Sequence, residues 1–160
     1  MPPVIVSIFS RHCARPDQHA QRFVAGFFSL VPPPRILLID NDAGVVEAMS
    51  CLLEDCGMVV FTASDGALGV AVAMRERPDS VLVDLQMPGL DAIEVAHSLA
   101  WLRQAQGARM VLLTARDRFG AAGAMSTGLF DACLLKPFSA AQLFASLAPP
   151  AEARDDQLAG

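Results

Sequence analysis

Polar side chains follow four short apolar stretches of this sequence, and their types suit phosphate and divalent-cation chemistry. Crowded carboxylates repel one another and need a cation, and oxygen ligands suit Mg²⁺, which completes its shell with water and phosphate. A carboxylate can attack phosphorus to give an aspartyl phosphate, while lysine and hydroxyl groups can bind phosphoryl oxygens. The residues concerned are Asp40, Asn41, Asp42, Asp84, Thr114 and Lys136. They predict a phosphoryl-transfer site that binds Mg²⁺.

The stretches that carry these residues alternate with segments of helical periodicity. Because the apolar stretches are not two-sided, they are typical of a parallel sheet covered on both faces, and ligands of such sheets gather at the carboxyl ends of strands. We predict an α/β domain, with a five-stranded parallel sheet and helices on both faces, flavodoxin-like and doubly wound as (βα)5. Strands are predicted at 36–39, 58–62, 81–83, 110–113 and 132–135. Helices are predicted at 45–56, 67–75, 92–103 and 140–147. A further helix, rich in Gly and Ala, is predicted between the fourth and fifth strands and ends at Gly128.

Length and composition favour one domain with short flanking segments. The 160 residues are 53% hydrophobic and carry a net charge of −5, which argues against nucleic-acid binding by this chain. No apolar run approaches the length of a membrane span, so we expect a cytoplasmic protein that does not contact a membrane. The triple proline at 32–34 predicts a boundary. We therefore divide the chain into a flexible extension at 1–34, a domain at 35–148 and a mobile tail at 149–160.

Four stretches of the sequence resemble the receiver domain of two-component response regulators over residues 35–148: RILLIDND, DGALGVAVAMRERPDSVLVDLQMPGLDAIEV, MVLLTAR and CLLKPF. The resemblance implies a signalling domain that is not an enzyme and that uses Mg²⁺. It implies that Asp84 is the phosphoacceptor, that Thr114 is the switch hydroxyl and that Lys136 contacts the phosphate. It implies metal ligation by Asp40, Asp84 and the Gln86 carbonyl, and a cis bond before Pro137.

The same resemblance implies the partners. A sensor histidine kinase or a histidine phosphotransfer protein is the expected phosphodonor, and a downstream protein is expected to bind the fourth helix, fifth strand and fifth helix, roughly residues 118–148. Nothing after residue 148 has the length of a DNA-binding or catalytic domain, so a stand-alone receiver is expected. A homodimer is compatible with the sequence.

Two residues depart from the family pattern. Asn41 stands where the family has a second acid that ligates the metal, so we expect weaker Mg²⁺ binding unless Asp42 compensates. Cys133 stands where the family has a Tyr or Phe that moves with the switch hydroxyl, and the chain contains no tyrosine. The loop before the fifth strand also is about one residue longer than the family pattern. We expect altered switching, or switching by backbone and helix shifts alone.

Three other functions remain open from the sequence. A pseudo-receiver would keep the fold as a binding module without phosphorylation, in line with Asn41 and Cys133. A haloacid-dehalogenase-like phosphohydrolase would use Asp40 in the motif ILLIDND, but it would need an acidic metal-binding cluster after Lys136, where only a short Pro-rich sequence follows and Asp155 and Asp156 lie in the tail. A flavodoxin-like flavin binder would need a phosphate-binding loop where residues 40–42 are mostly acidic.

Overall fold

One parallel sheet organises the part of the chain that the computed structural model describes, which is residues 32–88, 91–115 and 118–148. The strands are β1 (Arg35–Ile39), β2 (Val59–Ala63), β3 (Ser80–Asp84), β4 (Arg109–Ala115) and β5 (Ala132–Lys136). The helices are α1 (Ala43–Asp55), α2 (Gly66–Glu76), α3 (Ala92–Ser98), α4 (Ala100–Gln106), α5 (Arg118–Ser126) and α6 (Ala140–Leu147). All strand pairs are parallel, in the order β2-β1-β3-β4-β5. The predicted fold class is confirmed, whereas the predicted extension up to residue 31 and the tail from 149 lie outside the described residues.

The apolar strands are buried from both sides because helices cover both faces of the sheet. On one face, Leu37, Val83 and Leu112 pack under α2, α3, α4 and α5. On the other face, Leu38, Leu82 and Val111 pack under α1 and α6. Alternate residues of each strand point to opposite faces, so continuous apolar stretches are what this architecture requires.

Side-chain caps begin most of the helices at the same edge of the sheet. Asp42, Asp65 and Asp91 accept backbone N–H bonds at the starts of α1, α2 and α3. Ser139 and Gln142 form a reciprocal capping box at the start of α6. Since each cap follows directly on a strand or its loop, the helices leave the sheet at fixed points, and the loops between them hold the polar residues in place.

The single helix predicted over 92–103 is wrong, because the structure divides it into α3 and α4 at Leu99. The Ser98 hydroxyl donates to the carbonyl of Glu94 at 2.9 Å, a bond that competes with helix geometry and bends helices. Leu99 then adopts φ −101° and ψ 2° and is fully buried, which anchors the bend. The fourth predicted helix is therefore α5 and the fifth is α6.

Within the described ranges, no helix combines the length and the apolar character that crossing a bilayer requires.

Candidate functional site

Two buried carboxylates meet at the carboxyl edge of the sheet and share one lysine. Asp40 follows β1 and Asp84 ends β3, and these strands are neighbours, so both side chains lie at one edge, 3% and 6% exposed. The Nζ of Lys136, at the end of β5, lies 2.6 Å from Oδ2 of Asp40 and 3.4 Å from Oδ2 of Asp84. Buried carboxylates need such a counter-charge, and one ammonium leaves the trio with a net negative charge.

The two carboxylates are not held equally. Asp40 accepts the Lys136 ammonium on Oδ2 at 2.6 Å and the backbone N–H of Asp42 on Oδ1 at 2.9 Å. The Oδ1 of Asp84 accepts only a longer bond, 3.2 Å, from the backbone N–H of Gln86. Shorter, charge-assisted hydrogen bonds are the stronger ones, so Asp40 is held more firmly than Asp84. The carboxylate of Asp84 therefore has more oxygen lone pairs that accept no hydrogen bond.

Thr114 supplies a buried hydroxyl with no hydrogen-bond partner. It lies in β4, between the strands that carry Asp84 and Lys136, and is 1% exposed. Within the described part of the chain, its Oγ1 makes no hydrogen bond, a feature shared there only by Oγ of Ser50. An unsatisfied buried hydroxyl costs roughly 1–3 kcal/mol. The structure keeps one at this edge of the sheet, where a phosphoryl oxygen would satisfy it.

The remaining predicted residues surround this trio at the surface. Asn41 and Gln86 are exposed. The Oδ1 of Asp42 caps α1 through the N–H groups of Gly44 and Val45, at 2.9 and 3.1 Å, so at least that oxygen serves the helix. This cap was not predicted, although an aspartate directly before a helix is the usual signal for one.

A second feature missed from the sequence is the side chain of Gln86. Only its backbone carbonyl was given a role, but its Nε2 donates to the carbonyl of Ala115 at 3.4 Å. The bond joins the residue two beyond Asp84 to the residue after Thr114. The loop after β3 and the end of β4 are therefore in direct contact.

The donor set suits Mg²⁺. Among residues 32–88, 91–115 and 118–148, no three His, Cys, Asp or Glu side chains come close enough to hold a metal ion. Mg²⁺ does not need such a cluster, because one or two carboxylates with carbonyl, water and phosphate oxygens suffice. Asp40 and Asp84 would provide the carboxylates for such an ion, and the Asn41 amide and the Gln86 carbonyl would be candidate further ligands.

A cleft of about 310 Å³ opens beside Asn41. It lies between the loops that follow β1, β2 and β3. Its lining residues are Asn41, Ser64, Asp65, Gly66, Ala67, Met87 and Pro88. A cleft of this size admits a small molecule or a partner's side chain at the edge of the sheet where the carboxylates lie.

Two further predictions concern β5. The Lys136–Pro137 bond is cis, as the resemblance implied. Cys133 is an exposed residue of β5, and partial burial raises the pKa of its thiol, which lowers its thiolate fraction near neutral pH. The prediction that switching proceeds without an aromatic ring at this position stays a prediction.

Comparison with known sequences identifies one domain family. The family model for the response regulator receiver domain matches residues 36–148. The transcriptional regulatory protein TcrX of Mycobacterium tuberculosis is 34% identical over 107 residues, which is 67% of this chain and 45% of that protein. The protein PilH of Pseudomonas aeruginosa is 32% identical over 52% of this chain and 69% of its own length.

The DNA-binding response regulator MtrA of Mycobacterium tuberculosis is 32% identical over 124 residues, 77% of this chain and 53% of that protein. The chain spans about half the length of the curated relatives TcrX and MtrA, 45% and 53%.

Solved structures with this fold include a chemotaxis protein and a domain of a kinase. The chemotaxis protein CheY4 of Vibrio cholerae superimposes with a TM-score of 0.66, covering 72% of this chain and 96% of that one at 24% identity. The receiver domain of a Pseudomonas aeruginosa sensor histidine kinase, which has a magnesium ion in its active-site cleft, superimposes with a TM-score of 0.64 at 25% identity, covering 72% and 94%.

Proposed function

The chain belongs to the response regulator receiver domain family, and on that premise we propose that it is a phosphorylation-dependent signalling receiver whose acceptor is Asp84. The observation that carries the proposal is the arrangement of Asp84 at the end of the central strand β3, buried, 3.4 Å from the Lys136 ammonium and held by fewer and longer bonds than Asp40. A less constrained carboxylate is the better nucleophile in this pair.

Phosphorylation follows from the chemistry of these side chains. A carboxylate oxygen of Asp84 attacks phosphorus in line, and the phosphorus–nitrogen bond of a donor phosphohistidine breaks. The Lys136 ammonium neutralises charge that develops on the phosphoryl oxygens. Mg²⁺, when bound by Asp40, Asp84, the Gln86 carbonyl and Asn41 or Asp42, adds positive charge at the same place. The donor is a sensor histidine kinase or a histidine phosphotransfer protein.

Signalling follows from the unsatisfied hydroxyl of Thr114. A phosphoryl oxygen on Asp84 offers this hydroxyl its missing acceptor, and a bond between them favours a state in which the end of β4 moves toward the phosphate. The contact between Gln86 and the carbonyl of Ala115 links that movement to the loop after Asp84. A downstream protein then binds the surface of α5, β5 and α6, roughly residues 118–148, where Leu135 is 42% exposed.

Phosphorylation by acetyl phosphate tests the proposal. Intact-mass spectrometry of the full chain with Mg²⁺ should show one phosphoryl adduct on the wild type and none on Asp84→Asn. The matched control is Asp55→Asn, which neutralises an exposed carboxylate on α1 and should keep the adduct. An adduct that persists in Asp84→Asn would contradict the proposed acceptor.

The alternative is a pseudo-receiver that binds partners without phosphorylation. The neutral Asn41 favours it, because the metal site loses one of the acids that the family pattern has. A wild-type chain that gives no adduct with acetyl phosphate and no response to beryllofluoride would support this alternative. A hydrolase that uses Asp40 would instead carry the phosphoryl group on Asp40, whose oxygens are the more tightly held.

A further inference from the structure

The outward face of α2 is apolar to an extent unusual for a helix on a protein surface. From Gly66 to Met74 the helix contains no charged or polar side chain. Met74 is 64% exposed and Leu68 is 44% exposed, and these are two of the three large apolar side chains exposed in the described ranges. A helix at a surface normally turns polar residues outward, as α1 does with Glu47 and Glu54. An exposed apolar strip of this kind marks an interaction surface.

The exposed residues of α2 are arranged symmetrically about Ala71. They are Ala67, Leu68, Ala71, Met74 and Arg75, which lie four and three residues before Ala71 and three and four residues after it. This spacing places all of them on one side of a helix. An interface between two identical copies must be self-complementary, and this face has that property in an antiparallel arrangement.

From this symmetry we propose that two copies of the chain associate through α2, with the helices antiparallel and crossing at Ala71. Leu68 of one copy then lies level with Met74 of the other, and the small side chain of Ala67 lies level with Arg75. The small residues at the crossing point let the helices approach, while the large apolar side chains on either side leave water.

The charges at the helix ends favour the same arrangement. Asp65 precedes α2 and is exposed, while at the other end Arg75 and Arg77 are exposed and Arg75 is ion-paired with Glu76. An antiparallel pair brings the acidic end of each helix to the basic end of the other, and it opposes the two helix dipoles favourably. A parallel pair would place arginines against arginines. The exposed Asp65 and Arg77 therefore favour the antiparallel arrangement.

The proposed interface lies away from the surface of α5, β5 and α6, to which we propose that the downstream protein binds. The helix α2 packs against β1 and β2, at one end of the strand order, whereas β5 is at the opposite end. A dimer through α2 thus leaves residues 118–148 open to another protein. Because a single pair of short helices makes a small interface, we expect a Kd on the order of 10 µM or weaker.

Sedimentation of the full chain over a range of concentrations tests the dimer. The wild type should associate as concentration rises, and Met74→Glu should raise the dimer Kd about tenfold or more. The matched control is Leu135→Glu, which places the same charge at the exposed apolar residue of β5 and should leave the Kd unchanged. Both side chains are exposed in the single chain, so the fold of each variant should be intact by circular dichroism.

Two results would overturn the proposal. One is a wild type that stays monomeric up to about 1 mM, and the other is a dimer that Leu135→Glu dissociates while Met74→Glu does not. Ala71→Cys adds a geometric test, because oxidation should join the two substituted positions, mapped by peptide mass spectrometry. Ala122→Cys, at an exposed position of α5, should form no such link, and equal cross-linking of both variants would also contradict the proposal.

Discussion

Lys136 holds two carboxylates that would otherwise repel each other inside the protein. Its Nζ lies 2.6 Å from Asp40 and 3.4 Å from Asp84, with a side chain only 20% exposed. The lysine therefore compensates buried charge in the resting chain, and this role is separate from the phosphoryl contact that we propose for it. Its structural role makes a prediction that does not depend on phosphorylation.

Replacing Lys136 by Met should lower the free energy of unfolding by roughly 2–4 kcal/mol, because it leaves Asp40 and Asp84 buried without their cation. The matched control is Arg75→Met, which removes an ion pair with Glu76 at the surface and should cost less than about 1 kcal/mol. Urea unfolding without Mg²⁺ measures both. Equal losses in the two variants would contradict the view that Lys136 compensates buried charge.

The neutral residue at position 41 should limit Mg²⁺ affinity. Asn41→Asp adds a third carboxylate near Asp40 and Asp84, so we expect Mg²⁺ to bind about tenfold more tightly. The matched control is Gln104→Glu, which adds a carboxylate at an exposed position of α4 and should leave the affinity unchanged. Titration calorimetry measures the Mg²⁺ affinity of both variants. If Asn41→Asp binds Mg²⁺ no more tightly than the wild type, the residue at position 41 does not face the metal.

At the scale of elements, α2 approaches the sheet closely at Gly69. A Cβ at this position would lie 2.4 Å from Cδ1 of Ile39, a fully buried residue of β1. Glycine fits this close approach, because a methyl group here would force the Ile39 side chain to shift within a packed core. The strand concerned is the one that ends at Asp40, so this contact also fixes one side of the site.

Gly69→Ala should destabilise the chain by about 1–3 kcal/mol, since overpacking outweighs the better helix propensity of alanine. Adding Ile39→Val, which removes the clashing Cδ1, should recover part of the loss. Gly123→Ala in α5 is the matched control: a Cβ there meets nothing within 4 Å, so it should stabilise by roughly 0.5–1 kcal/mol. Thermal unfolding measures the stability of all three variants. Equal stability changes for Gly69→Ala and Gly123→Ala would contradict the proposed clash with Ile39.

Elements were predictable from the sequence where one physical signal dominates. Continuous apolar stretches predict the strands, and apolar residues at helical spacing predict the helices between them. The break at Leu99 was not predicted, because it depends on the hydrogen bond from the Ser98 hydroxyl to the carbonyl of Glu94. The sequence does not show which acceptor a serine hydroxyl will bind. The cap that Asp42 forms was not predicted, because the sequence alone does not say whether a carboxylate at the end of a strand caps the next helix or faces a metal.

At the scale of the whole molecule, parallel topology accounts for how residues up to 96 positions apart, such as Asp40 and Lys136, come into contact. The sequence predicts which side chains reach the carboxyl edge, because each one follows an apolar strand. It does not predict which carboxylate the lysine favours, or that Thr114 lacks a partner, because these depend on distances set by the packed sheet. The difference between Asp40 and Asp84 rests on those distances.

The position of the phosphoryl group decides which aspartate is the acceptor. The wild-type chain would be phosphorylated with acetyl phosphate and Mg²⁺, treated with hydroxylamine to mark the acyl phosphate, digested and mapped by mass spectrometry. We expect a single mark, at Asp84. A mark at Asp40, or none at either aspartate, would contradict this expectation.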